Sequence, residues 1–94
     1  MINLQIITPE NEIINHKKVN YIHVTLSDGN PISIYPLHAP LIAALGEGKL
    51  IYKDDNKSRV ISISDGFMHV NKNIVKCFLE WAVKTAENYN NETG

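Results

Sequence analysis

Two prolines, Pro36 and Pro40, bracket Leu37-His38-Ala39 and constrain this chain more than any other feature. Each fixes φ and lacks a backbone donor, so neither a regular helix nor a central strand passes through them. Each also drives its predecessor, Tyr35 and Ala39, towards extended geometry. Before the corner, Ile32, Ile34 and Tyr35 are spaced as in a strand. After it, the apolar run from Leu41 to Leu45 is closed by Gly46 and Gly48, which can take positive φ and end a strand sharply. Residues 32–48 therefore predict strand, rigid corner, strand and glycine turn.

The rest of the chain continues the theme. Leu4, Ile6, Ile7 and Thr8 make a β-branched strand ended by Pro9, and Ile13 and Ile14 mark a second strand beyond a Glu10-Asn11 turn. Val19, Tyr21, Ile22, Val24 and Leu26 predict a half-buried strand of period two. Ser27-Asp28-Gly29-Asn30-Pro31 is dense in turn formers and predicts a hairpin tip. Leu50-Ile51-Tyr52 and Val60-Ile61-Ser62-Ile63-Ser64 flank a charged turn and predict a second hairpin. Asp65-Gly66 and Asn71-Lys72-Asn73 are further turns, each followed by a strand pattern. Turn signals thus recur about every 8–12 residues, the spacing of an all-β sandwich or barrel. Residues 80–87 contain better helix formers and predict one or two helical turns. Residues 88–94 lack an apolar face, which predicts fraying. The division expected is a β domain over residues 1–82 and a short, partly disordered tail over 83–94.

Ninety-four residues suit one domain, which buries roughly 60–65% of its unfolded surface. Apolar residues at 44% and charged residues at 20% argue against disorder. A net charge of −1 provides no polybasic footprint for nucleic acid. No apolar run reaches the ~18–20 residues of a membrane span. The lone Cys77 has no intrachain disulfide partner and fits a reducing compartment. These features predict a soluble, cytosolic domain.

No chemistry-bearing motif stands out. His16, His23, His38 and His69 lack zinc-site spacing, and Cys77 has no second cysteine, so no bound metal is expected. His23 and His69 fall on the polar phase of their strands, where an exposed imidazole is the ordinary outcome. Ser62, Ser64 and Asp65 are not set in a Gly-x-Ser-x-Gly elbow, and a serine there is expected at the surface. Asp54-Asp55 reads as a solvated turn. Gly46-Glu47-Gly48 feeds a strand and not a helix N-terminus, so it forms no phosphate cradle. An enzyme using His38 with Asp65 or Glu47 is a remote rival. Trp81 is expected to pack on the sandwich, whereas Tyr35 serves core and contact readings equally.

The corner Ile34-Tyr35-Pro36-Leu37-His38-Ala39-Pro40-Leu41 resembles the I-(L/Y)-P-G-H-A-P-L corner of the epsilon subunit of bacterial F-type ATP synthases, counterpart of the mitochondrial delta subunit. Leu4-Gln5-Ile6-Ile7-Thr8-Pro9-Glu10 is similar to that family's opening strand, and Leu45-Gly46-Glu47-Gly48-Lys49-Leu50 to its glycine turn. Ile63-Ser64-Asp65-Gly66-Phe67-Met68-His69-Val70 resembles its Ser-Gly-Gly hairpin, and Asn73-Ile74-Val75 the strand that follows. The matches run in order over residues 3–82.

The resemblance implies a flattened antiparallel β-sandwich of about ten short strands. It implies a non-catalytic central-stalk subunit of a rotary, proton-translocating ATP synthase, without a cofactor, linking the gamma subunit to the c ring. The implied location is peripheral, at the cytoplasmic face of the bacterial plasma membrane. Asp28, Gly29, Asn30, Pro31 and His38 would lie on loops that meet the c ring and lower gamma. Tyr35, Pro36, Ala39 and Pro40 would shape the corner beside gamma. Three residues stand where the family usually has glycine: Ser33, Leu37 and Asp65. A β-carbon at Ser33 or Leu37 requires negative φ or some strain, and aspartate tolerates the left-handed region at Asp65. The tip shows one apparent insertion at Asn30-Pro31, with Asp28 its nearest carboxylate. The family's carboxy-terminal helical hairpin has no counterpart here, so neither self-inhibition nor nucleotide binding is expected. A free-standing β-sandwich adaptor of the same fold is the alternative.

Overall fold

A computed structural model describes residues 1–10 and 12–84. Ten strands follow in order: β1 (Ile2–Ile7), β2 (Glu12–Val19), β3 (Tyr21–Thr25), β4 (Pro31–Ile34), β5 (Leu41–Leu45), β6 (Gly48–Asp54), β7 (Lys57–Ile63), β8 (Gly66–Asn71), β9 (Ile74–Leu79) and β10 (Ala82–Lys84). They form two five-stranded sheets, one ordered β2-β1-β9-β8-β5 and the other β10-β7-β6-β3-β4. The all-β sandwich is as expected, with one departure from antiparallel order: β1 and β9 pair in parallel.

Period-two alternation builds the core. Leu4 and Ile6 from β1, Met68 and Val70 from β8, and Val75 and Cys77 from β9 face Leu50 of β6 and Ile61 and Ile63 of β7, all essentially inaccessible to water. The expected single strand through residues 19–26 is instead two. Val19 ends β2, the chain turns at Asn20, and the buried phase of β3 falls on Ile22 and Val24 while Tyr21 stays partly exposed. Asn20 is a turn former, and the turn resets which residues face inward.

The hairpins at residues 26–30 and 54–57 form where expected, joining β3 to β4 and β6 to β7. Between β8 and β9, Lys72 and Asn73 have φ of 53° and 62°. Two consecutive positive φ values match the right-handed twist of the flanking strands. The helix expected over residues 80–87 is not formed in its described part: Ala82–Lys84 is a strand pairing with Ile61, Ser62 and Ile63 of β7. The open edge of β7 satisfies those backbone groups, and tertiary pairing overrides helix propensity. The rest of that expected helix, and the frayed tail, lie outside the described residues. Trp81 is 42% exposed, not packed into the sandwich.

Gly66 is required by close approach. A β-carbon there would lie 2.2 Å from the carbonyl oxygen of Phe78 and 2.8 Å from Cδ2 of Leu79. Because the first obstacle is backbone of the neighbouring strand, Gly66→Ala should destabilise the domain by about 2–3 kcal/mol, measured as a lowered denaturation midpoint. Burial pushes the Cys77 thiol up to about 12 from its ordinary 9.0. The folded pKa is raised, so this contribution to stability is complete below pH 9.0 and fades as pH rises towards 12. At pH 8, a thiol reagent should label Cys77 at least about 1,000-fold more slowly than free cysteine, because the buried thiol is scarcely ionised and reaction waits on unfolding.

Candidate functional site

The strand register gives the sandwich two distinct ends. β4 runs from Pro31, opposite Thr25, to Ile34, opposite Ile22, so its two flanking loops lie at opposite ends. Asp28, Gly29, Asn30 and Pro31 are at one, the tip end. Tyr35, Pro36, His38, Ala39 and Pro40 are at the other, the corner end. The nine candidate residues therefore lie in two groups at opposite ends, and His38, expected with the tip residues on loops facing the c ring, stands apart from them.

At the tip, Asp28 organises its own loop. Its carboxylate accepts from the Asn30 backbone N–H and from the Asn30 side-chain amide, each at 3.0 Å. Gly29 donates its N–H to Leu26 at 2.9 Å with φ of 92°, a conformation glycine adopts without strain. The tip is also where the two sheets meet: Ser27 donates to Ala44 and Gly46 to Thr25, each at 2.9 Å. The loops clustered here carry Glu10, Asp28, Glu47, Asp65 and Glu80, all exposed, with no lysine or arginine among their described residues. Lys17, Lys18, Lys53, Lys57 and Lys72 lie towards the corner end, with Asp54 paired to Lys17 at 2.8 Å. Lysines thus outnumber carboxylates at the corner end, which also carries Asp54 and Asp55, and carboxylates predominate in the tip loops, with Lys49 just inside β6.

The corner is tightly tied. His38 donates its backbone N–H to Tyr35 at 3.2 Å and its ring Nδ1 bonds the Ala39 carbonyl at 2.8 Å. Tyr35 is half exposed and packs on Tyr21, with ring centroids 5.7 Å apart. His23 joins this cluster 4.6 Å from Tyr21 and shares a hydrogen bond with Ser33. Of the three positions where the resemblance implies glycine, only Leu37 has positive φ, at 69°. Ser33 is extended in β4, and Asp65 does not use the left-handed region. The left-handed conformation costs a non-glycine residue about 1–2 kcal/mol. The Leu37 N–H is held by the Asn73 side-chain oxygen at 2.7 Å.

A third surface escaped the sequence reading. Across the outer face of the first sheet, Ala44 opposes Phe67, Phe67 opposes Phe78, and Phe78 neighbours Ile7. Ile42 lies one row away and is 74% exposed, with Phe67 at 60% and Phe78 at 45%. The signal was present in the pairs Leu41-Ile42 and Phe67-Met68 and the triplet Cys77-Phe78-Leu79. Consecutive apolar residues give a strand two apolar faces.

The enzyme rival fails on distance. His38 precedes β5 and Glu47 follows it, so at ~3.3 Å per residue β5 alone separates them by about 13 Å; Asp65 lies at the Glu47 end. Nor is Ser64 the surface serine expected. It is buried, its hydroxyl accepts from the backbone N–H groups of Glu80 at 2.9 Å and Trp81 at 3.2 Å, and it donates to the Asp65 carbonyl at 2.8 Å. That hydroxyl holds the β9–β10 connection against the β7–β8 connection. Ser64→Ala should cost about 1–3 kcal/mol, since two backbone donors lose their acceptor, read from chemical denaturation.

The family described as "ATP synthase, Delta/Epsilon chain, beta-sandwich domain" matches residues 1–85. The ATP synthase epsilon chain of Lawsonia intracellularis is 38% identical over 86 residues, covering 92% of this chain and 63% of that protein. The epsilon chain of Carboxydothermus hydrogenoformans is 38% identical over 74 residues, covering 79% of this chain and 54% of that protein. The chain thus spans little more than half to three fifths of the length of these relatives. Among solved structures, a chain of the Euglena gracilis mitochondrial ATP synthase OSCP/F1/c-ring assembly superimposes with a TM-score of 0.83 at 25% identity, covering 88% of this chain and 52% of that one. A chain of the Tetrahymena thermophila mitochondrial ATP synthase central stalk/c-ring shares the fold, with a TM-score of 0.75 at 14% identity, covering 98% of this chain and 75% of that one.

Proposed function

The chain belongs to the delta/epsilon β-sandwich family of ATP synthase subunits, and from that premise we propose that it is a non-catalytic rotor element of the central stalk, seated between the gamma subunit and the c ring. Its task is torque transfer, which needs a stiff body gripped at separate surfaces. Ten paired strands around one core supply the stiffness.

The observation that carries the reading is the division of the surface. The tip end, with Asp28, Gly29, Asn30 and Pro31 among exposed carboxylates, is polar and suits the polar loops of the c ring. The outer face of β5, β8 and β9 is apolar through Ile42, Ala44, Phe67 and Phe78. The corner residues Tyr35, Pro36, His38, Ala39 and Pro40 lead directly into that face through Leu41. A sheet face this apolar marks an interaction surface; its row of Ala44, Phe67 and Phe78 lies beside the tip loops and Ile42 carries it towards the corner, and on this reading face and corner both meet gamma. The subunit on this reading is peripheral to the membrane, at its cytoplasmic face, and takes part in ATP synthesis by coupling ion flow to catalysis performed by other subunits.

The test is calorimetric titration with the gamma subunit of the same organism. One-to-one association at micromolar or better, about −8 kcal/mol, is expected. Phe67→Ser should weaken it by at least about tenfold while lowering stability by no more than about 1 kcal/mol, because the ring lies outside the core. A folded chain that fails to bind would overturn the stalk reading in favour of a free-standing β-sandwich adaptor.

A further inference from the structure

We infer that Leu37 is a rigid apolar anchor that inserts into an apolar recess with an acidic rim on the gamma-type partner, an inference that rests on the stalk reading above. Four described non-glycine residues have positive φ: Leu37, Asp55, Lys72 and Asn73. The last three are polar residues of tight hairpin turns, and aspartate and asparagine tolerate that region comparatively well. Leu37 is the exception in kind. It is apolar, its φ is 69°, and its side chain is 87% exposed, the highest exposure among the described large apolar residues.

Both features disfavour leucine in the isolated domain. Glycine would adopt the same backbone freely and expose no apolar side chain. The folded chain recovers little from the leucine, since a side chain so exposed buries almost no surface. What would repay it is burial against another molecule.

The local structure is suited to that role. Pro36 and Pro40 stiffen the corner, the Leu37 N–H is held by Asn73 at 2.7 Å, and the His38 N–H by Tyr35 at 3.2 Å. Tyr35 is itself braced on Tyr21. The leucine is therefore presented on a fixed backbone, and docking it orders little besides its own rotamers. It also lies on the loop that leads into β5, five residues before Ile42 of the apolar face. Charge indicates the rim of the recess. Lys72, exposed and the neighbour of Asn73 in the turn that holds Leu37, is the charge beside the anchor. A carboxylate on the rim of the recess would match it.

The experiment compares the wild-type chain, Leu37→Ala and Leu37→Gly in titrations against gamma, with thermal unfolding of each. Leu37→Ala removes the side chain and keeps a β-carbon on the left-handed backbone, whereas Leu37→Gly removes both. Both variants should bind at least about tenfold more weakly, and Leu37→Gly should melt at or above the wild-type temperature. Weakened binding by a variant that is no less stable excludes a merely structural role. Wild-type binding with both variants equal to it would overturn the anchor and leave the stalk reading standing. No binding by the wild type would overturn the stalk reading and the anchor with it. Co-sedimentation of the wild type with anionic vesicles, lost in Leu37→Ala while gamma binding is unchanged, would assign the leucine to a lipid surface and overturn the anchor.

Discussion

Burial of Leu4 and Ile6 from one sheet against Leu50, Ile61 and Ile63 from the other leaves each of these side chains at most 1% exposed. Apolar surface removed from water stabilises by about 25 cal/mol per Å2, so this shared layer is the dominant favourable contribution in a domain with no disulfide. Because side chains alternate along a strand, each strand can commit only every second residue to that layer. Everything functional about the molecule lies in what the other residues do and in how the loops close the two ends.

Along most strands the second set is polar, as with Lys49 and Lys53 of β6 or His69 and Asn71 of β8. Among the described residues most of the exceptions cluster, Val83 of β10 lying apart. Ile42, Phe67 and Phe78 come from three adjacent strands, and the register aligns them on one face. Such a face is unfavourable in water. The ends of the sandwich differ equally. Where the two sheets meet beside Leu26 and Leu45, the backbones come so close that a β-carbon on Gly46 would lie 2.9 Å from the Leu26 carbonyl oxygen. The tip loop is consequently short and braced. At the other end the chain crosses between sheets through the proline corner, where rigidity comes from two fixed φ values and from a hydrogen bond 36 positions away in sequence.

That long-range bond bears on the three positions where the resemblance implies glycine. Ser33 and Asp65 sit outside the left-handed region. Leu37 alone of the three holds a left-handed backbone while carrying a side chain, and Asn73 bonds its N–H there. The three positions look alike as letters and differ mechanically.

The sequence by itself determined the all-β class, the hairpin turns at 27–31 and 53–57 and the proline corner, because each depends on residues within a few positions of one another. Turn chemistry and period-two alternation act locally, so they are readable from a string. Tertiary structure alone decided four things. It turned Ala82–Lys84 into a strand by offering the free edge of β7, and it paired β1 with β9 in parallel across the length of the domain. It made Ser64 a buried brace for Glu80 and Trp81, and it separated the tip from the corner while gathering Ile42, Phe67 and Phe78 onto one face. Each of these depends on which distant strand becomes a neighbour. That choice is made when the two sheets bury a common core, and no local propensity encodes it.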